Sequence, residues 1–163
     1  MRKRNLRHDA IRDIVRSERI RTQRALVEAL KQRGFDCTQA TVSRDITEMG
    51  LKKLPEGVYA LAEDLHLKRM VSDLVVDVRR SGNLVLIKAT SGAASGVAAA
   101  LDAADLPGVM GSIAGDDTIL VIGDNEAQAI EFQKAIILLR PPSEDDALLT
   151  DLSADELSAS YEQ

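Results

Sequence analysis

The chain is almost without aromatic side chains, with two Tyr, two Phe and no Trp among 163 residues. Its hydrophobic interior must therefore be built from Leu, Ile, Val and Ala. Cys37 is the only cysteine, which excludes an internal disulfide and fits a reducing compartment. No apolar run approaches the roughly 18 residues needed to cross a bilayer. The basic N-terminus has no apolar stretch behind it, so it does not read as a signal peptide, and a cytoplasmic location is expected. His8 and His66 lie far apart and lack neighbouring cysteines, so no metal site is expected. A nucleophile–base pair and a phosphate-binding glycine loop are also missing, which argues against an enzyme.

Charge is present in quantity but divided unevenly. Residues 1–62 carry 14 Lys/Arg against 8 Asp/Glu, whereas residues 63–163 carry 7 against 18. A basic head on an acidic body predicts two domains with different partners, and a polyanion suits the head.

Within the head, Ile11, Ile14 and Val15 mark one face of a helix over residues 7–17. A second helix is predicted over 22–33, with Thr22 as N-cap and Gly34 just past its end. A third runs over 38–49 from Thr38 to the stop at Gly50. Leu54-Pro55-Glu56-Gly57 then reads as a type I turn between two short apolar strands. Three helices followed by a hairpin is the order of a winged helix-turn-helix.

The body begins with a connector and a helix over 62–82, since Leu67, Met70, Val71, Leu74, Val75 and Val78 recur at helical spacing up to Gly82. A buried strand at 84–87, a helix over 92–104, strands at 109–114 and 118–122, and a helix over 126–139 follow. The expected class is α+β: a winged helix-turn-helix (1–62), a connector and first core helix (63–82), and a small oligomerisation domain with an antiparallel sheet (83–139). From Arg140 the chain has one Arg against seven Asp/Glu, which predicts a mobile acidic tail. Ser153 and Glu156 could cap a short helix there.

Two segments carry candidate chemistry. On the third helix, Val42, Ile46 and Met49 should pack inward, leaving Gln39, Ala40, Ser43, Arg44 and Thr47 outward. Arg can bind guanine in two-pronged fashion, Gln can bind adenine, and Ala or a Thr methyl can touch thymine. That face alone fits an ordinary amphipathic helix as well. The helix order, the hairpin and the basic charge select the DNA-reading alternative. Lys52, Lys53 and the first-helix arginines, such as Arg2, Arg4 and Arg7, would then reach phosphates. The second segment is Gly111-Ser112-Ile113-Ala114-Gly115-Asp116-Asp117-Thr118. Adjacent carboxylates repel unless a cation is near, and carboxylates match a guanidinium. A solvent-exposed turn and a cation site are both open from these residues.

Both segments resemble the bacterial arginine repressor family: Thr38-Gln39-Ala40-Thr41-Val42-Ser43-Arg44-Asp45-Ile46 in the reading helix, and the acidic turn, over roughly residues 5–139. The resemblance implies a DNA-binding regulator that represses arginine-biosynthesis genes, with activation of catabolic genes as a variant, and L-arginine as effector rather than any cofactor. It implies trimers pairing into hexamers, with arginine between trimers, and palindromic operator half-sites. Asp116, Asp117, Asp102 and the Ala114 backbone inherit ligand contacts, and Ser43 and Arg44 inherit operator contacts. The chain departs from the family pattern at Ser91-Gly92, where Pro-Gly is usual, and at Ser95, where Gln or His is usual. A shorter Ser95 could weaken the effector's hold or change its identity. Alternatives are an accessory factor in site-specific recombination and a regulator with another cationic effector.

Overall fold

The computed structural model describes residues 2–141. The tail from residue 142 on, including the short helix expected near Ser153 and Glu156, lies outside the described residues. The chain divides into two compact units, the division falling between His66 and Leu67.

The first unit starts with α1 (Arg2–Ser17), α2 (Gln23–Gln32) and α3 (Gln39–Glu48). Ile11, Ile14, Leu26, Leu30, Val42 and Ile46 are buried together, so the three apolar stripes meet in one core. The caps are local in origin. Thr22 accepts a hydrogen bond from the Ala25 N–H, and Thr38 accepts one from the Thr41 N–H. At the end of α2, Gly34 (φ +83°) donates to Lys31 O while the Phe35 N–H reaches back to Leu30 O. That pair of bonds is the Schellman closure, which a left-handed glycine permits. β1 (Leu51–Lys53) pairs antiparallel with β2 (Tyr59–Leu61), with Lys53 opposite Tyr59. The Gly57 N–H donates to Leu54 O across the expected turn. α4 (Ala62–Leu74) follows directly.

The second unit adds β3 (Val75–Ser81), β4 (Leu84–Ala89), α5 (Ala94–Ala104), β5 (Val109–Ala114), β6 (Thr118–Gly123) and α6 (Glu126–Leu139). The four strands form one antiparallel sheet in the order β3-β4-β6-β5. Val78, Val85, Ile87, Ile119 and Val121 on one face are buried with Val97 and Leu101 of α5 and Phe132 and Ile136 of α6.

The helix expected over 62–82 is corrected: it stops at Leu74, and residues 75–81 are strand. The physical reason is a β-bulge between Val75 and Asp77. In a regular strand, residues three apart face opposite sides. The extra residue, Val76, returns both Val75 and Val78 to the buried side, so a strand shows a helical spacing. The Gly82-Asn83 pair that links β3 to β4, with Gly82 at φ +57°, is a two-residue hairpin link and not a helix stop.

The opposite sheet face stays open. Cross-strand register aligns Leu86, Leu120 and Ile113 in one row and Leu84 with Ile122 in the next. Leu84 and Leu86 are each 40% exposed and Ile113 is 67% exposed.

Candidate nucleic-acid interface and ligand site

The outward residues of α3 are where the periodicity put them. Gln39, Ala40, Arg44 and Thr47 are exposed and Ser43 is half-buried. The Thr47 hydroxyl turns back to donate to Ser43 O at 3.1 Å. Arg44 makes no ion pair among the described residues, so its guanidinium is free to meet an anion or a base edge. Lys52 and Lys53 are exposed on β1, and the Lys53 ammonium lies 5.6 Å from the Tyr59 ring centre. This surface can grip phosphates and present hydrogen-bonding groups to a groove.

One expectation about cations fails. Arg7 does not point outward. Its Nε and a terminal nitrogen donate to the two oxygens of Asp45 at 2.6 and 2.9 Å. His8 Nε2 lies 3.0 Å from the same carboxylate. Asp45, 2% exposed, is the buried charged residue of α3. Burial works to raise its pKa, but the bonds from Arg7 and His8 outweigh this and hold it below the usual carboxylate range. Periodicity could have flagged Asp45, because it shares a helix face with Val42 and Met49. His8, Asp45 and Glu48 are the kinds of residue that ligate metals and lie close together. Both Asp45 oxygens, however, already accept from Arg7. Arg4 stays exposed, with its guanidinium 3.9 Å from the equally exposed Glu48. Two exposed cations were not singled out from the sequence: Arg21 and Arg24, which flank the cap of α2. The signal was their position beside an N-cap, where backbone N–H groups already favour anions.

In the second unit, the acidic turn is stitched to the link between β4 and α5. Ser91 Oγ and the Gly92 N–H donate to Asp116 Oδ2 at 3.0 and 3.1 Å. The Ala94 N–H donates to Asp116 O, and the Ala89 N–H donates to Asp117 O. The Asp117 carboxylate faces another way. Thr118 Oγ1 donates to its Oδ1 at 2.7 Å, and Lys88 Nζ lies 2.9 Å from its Oδ2. The Thr118 hydroxyl and then Lys88 hold its pKa below the usual range. The cation demanded by two adjacent carboxylates is thus partly supplied by the chain itself. Asp116 is held by neutral donors and is exposed. Ser91, which stands where the family pattern has proline, contributes a hydroxyl that proline lacks.

Asp102 is exposed on α5 and accepts from Ser112 Oγ at 3.2 Å. It borders a cavity of about 170 Å³ with Leu101, Asp105, Leu106, Val109 and Met110. Ser95 lies two turns earlier on the same face of α5 and is exposed; Ala114 is exposed at the end of β5. The hydrogen bonds therefore bring together Asp116 with Ser91 and Asp117 with Lys88, while Asp102 pairs with Ser112 and Ser95 stands apart from these bonded groups.

Comparison with known proteins agrees over both units. The family model described as "Arginine repressor, DNA binding domain" matches residues 1–67, and "Arginine repressor, C-terminal domain" matches residues 71–137. Among curated relatives, an arginine repressor of Thermus thermophilus is 48% identical over 146 residues, covering 82% of this chain and 89% of the relative. That of Carboxydothermus hydrogenoformans is 46% identical over 133 residues, covering 75% and 89%. That of Halothermothrix orenii is 42% identical over 127 residues, covering 71% and 85%.

Proposed function

The chain belongs to the arginine repressor family, and from that premise we propose how its residues divide the work of an arginine-responsive DNA-binding repressor. DNA binding is assigned to residues 1–62, and ligand binding and assembly to 83–139. The family match favours repression over the recombination and alternative-effector readings.

In this reading α3 enters the major groove. Arg44 and Gln39 read base edges, Ala40 and Thr47 meet thymine methyls, and Ser43 with Lys52 and Lys53 holds phosphates. The observation that carries it is the exposed polar face of α3, with Arg44 in no ion pair among the described residues, beside a well-packed apolar face. L-arginine is taken by Asp116 and Asp117, aided by Asp102, the Ala114 backbone and Ser95. Support comes from Asp116, whose carboxylate is exposed and, among the described residues, engaged by neutral donors alone, so its charge is available to a guanidinium or ammonium group.

Assembly follows from the open sheet face. Leu84, Leu86 and Ile113 form an apolar surface that water does not favour, and trimers that pair into hexamers would cover it. Bringing several acidic turns to one junction creates like-charge repulsion, which arginine relieves. A ligand that prefers the larger assembly stabilises it by mass action, about 2.7 kcal/mol per site at a hundredfold excess over its Kd. The hexamer then presents several heads to palindromic half-sites and gains avidity. The regulator acts in the cytoplasm; no helix among the described residues is long and apolar enough to cross a membrane.

The test is operator binding across an arginine titration, by gel shift, with two variants. Arg44→Ala should lose operator binding at every arginine concentration yet still bind arginine. Asp116→Ala should keep weak basal DNA binding and lose the arginine response. Equal loss of both functions in both variants would refute the division of labour.

A further inference from the structure

We propose that Lys88 is a resident competitor for the ligand site, holding Asp117 in the unliganded protein and moving to Asp77 on the next strand when arginine binds. The proposal rests on the reading that the Asp116–Asp117 turn takes the ligand.

Lys88 sits on β4 between two acids. Its ammonium lies 2.9 Å from Asp117 Oδ2 and donates to Thr118 Oγ1 at 2.9 Å. In the sheet register, Lys88 is opposite Thr118 of β6 on one side and Asp77 of β3 on the other. Directly opposed residues have Cβ atoms about 5 Å apart, well within the sweep of a lysine side chain. A cavity of about 220 Å³, lined by Asp77, Arg79, Leu86 and Lys88, gives that sweep room. Asp77 already accepts from Arg79 Nε at 2.6 Å. It is therefore a weaker seat than Asp117, and Lys88 rests on Asp117 until displaced.

The exchange is cheap. The side chains of Lys88 and Asp117 are 49% and 43% exposed. Ion pairs this open to water shift an equilibrium by about fivefold at most. A guanidinium that forms two parallel bonds to a carboxylate can outcompete one ammonium on a flexible stem. The ligand therefore loses a few-fold in affinity to Lys88 but is not shut out. Lys88 sets the arginine concentration at which the repressor responds, and it lowers the repulsion between acids before arginine arrives.

The test is calorimetric titration of the full-length protein with arginine, comparing wild type, Lys88→Met, Asp77→Asn, the double variant and Asp116→Asn, each checked for native circular dichroism. Lys88→Met should bind arginine about three- to fivefold tighter, with the gain shrinking as salt is raised. Asp77→Asn should bind more weakly than wild type, and that loss should vanish in the double variant, because it acts only through Lys88. Unchanged or weaker binding by Lys88→Met overturns the proposal while leaving the ligand site standing. An Asp77→Asn effect that persists without Lys88 overturns the second seat. If wild type shows no arginine heat, or Asp116→Asn binds like wild type, the site itself is misassigned and the proposal falls with it.

Discussion

Asp45 shows how much one buried charge can organise. It is next to Arg44 on α3 but points into the unit, where Arg7 and His8 from α1 meet it. The ion pair anchors the reading helix to the first helix and removes Arg7 from the DNA-facing set. Taking away one partner of a buried pair leaves the other charge uncompensated and costs about 3–5 kcal/mol. Arg7 keeps some contact with water, at 18% side-chain exposure, so Asp45→Ala should cost nearer the lower end, measured by urea unfolding. The pH dependence has a definite sign. The folded-state pKa of Asp45 is lowered, so its stabilising effect is present above the ordinary carboxylate range and is lost as pH falls through the depressed value. The stability gap between wild type and Asp45→Asn should therefore narrow on acidification. A gap that stayed constant down to strongly acidic pH would show that the carboxylate's charge is not what holds α1 to α3.

At the scale of elements, the starts of α2 and α3 follow from capping, whereas α1 runs from Arg2, five residues before the start its apolar stripe indicates. Thr38 supplies the side-chain oxygen that satisfies the first turn of α3. Replacing it with Ala should cost about 1 kcal/mol and lower the thermal midpoint. The fraying would fall on the turn that carries Gln39 and Ala40, so operator affinity should fall as well. A Thr38→Ala protein with unchanged melting and unchanged binding would contradict that account. The same local signals were legible without coordinates: both threonine caps, the stops at Gly34 and Gly50 and the Pro55–Gly57 turn lie where spacing and residue type indicated. The element misread was β3. Its bulge puts Val75 and Val78 on one side, and three-residue spacing imitates a helix that runs on from α4. The run Val75-Val76 and the link Gly82-Asn83 were the contrary signals, since β-branched residues favour strands and a two-residue glycine loop favours a hairpin.

For the molecule as a whole, charge separation and the uncovered sheet face matter most. The basic first 62 residues should make operator affinity fall steeply with salt, since each phosphate contact releases counterions. The apolar rows of Leu84, Leu86 and Ile113 should drive assembly. Sedimentation velocity should show larger species with arginine than without it. Ile113→Glu on the open face should shift the distribution toward monomer without unfolding the domain, because the side chain is already exposed. Identical distributions for wild type and variant would place the subunit contacts elsewhere.

The amino-acid order alone determined what depends on neighbours within a few positions: the threonine caps of α2 and α3, the Pro55–Gly57 turn, the apolar and polar faces of α3, and the adjacency of Asp116 and Asp117. Those properties come from backbone hydrogen bonds and side-chain periodicity, which act over one or two turns of chain. Tertiary structure decided which charges meet. Arg7 and Asp45 are 38 positions apart, and Lys88 finds Asp117 only because β4 and β6 pair in one register. Ion pairs between distant segments depend on where folding brings their side chains, and no local periodicity encodes that distance.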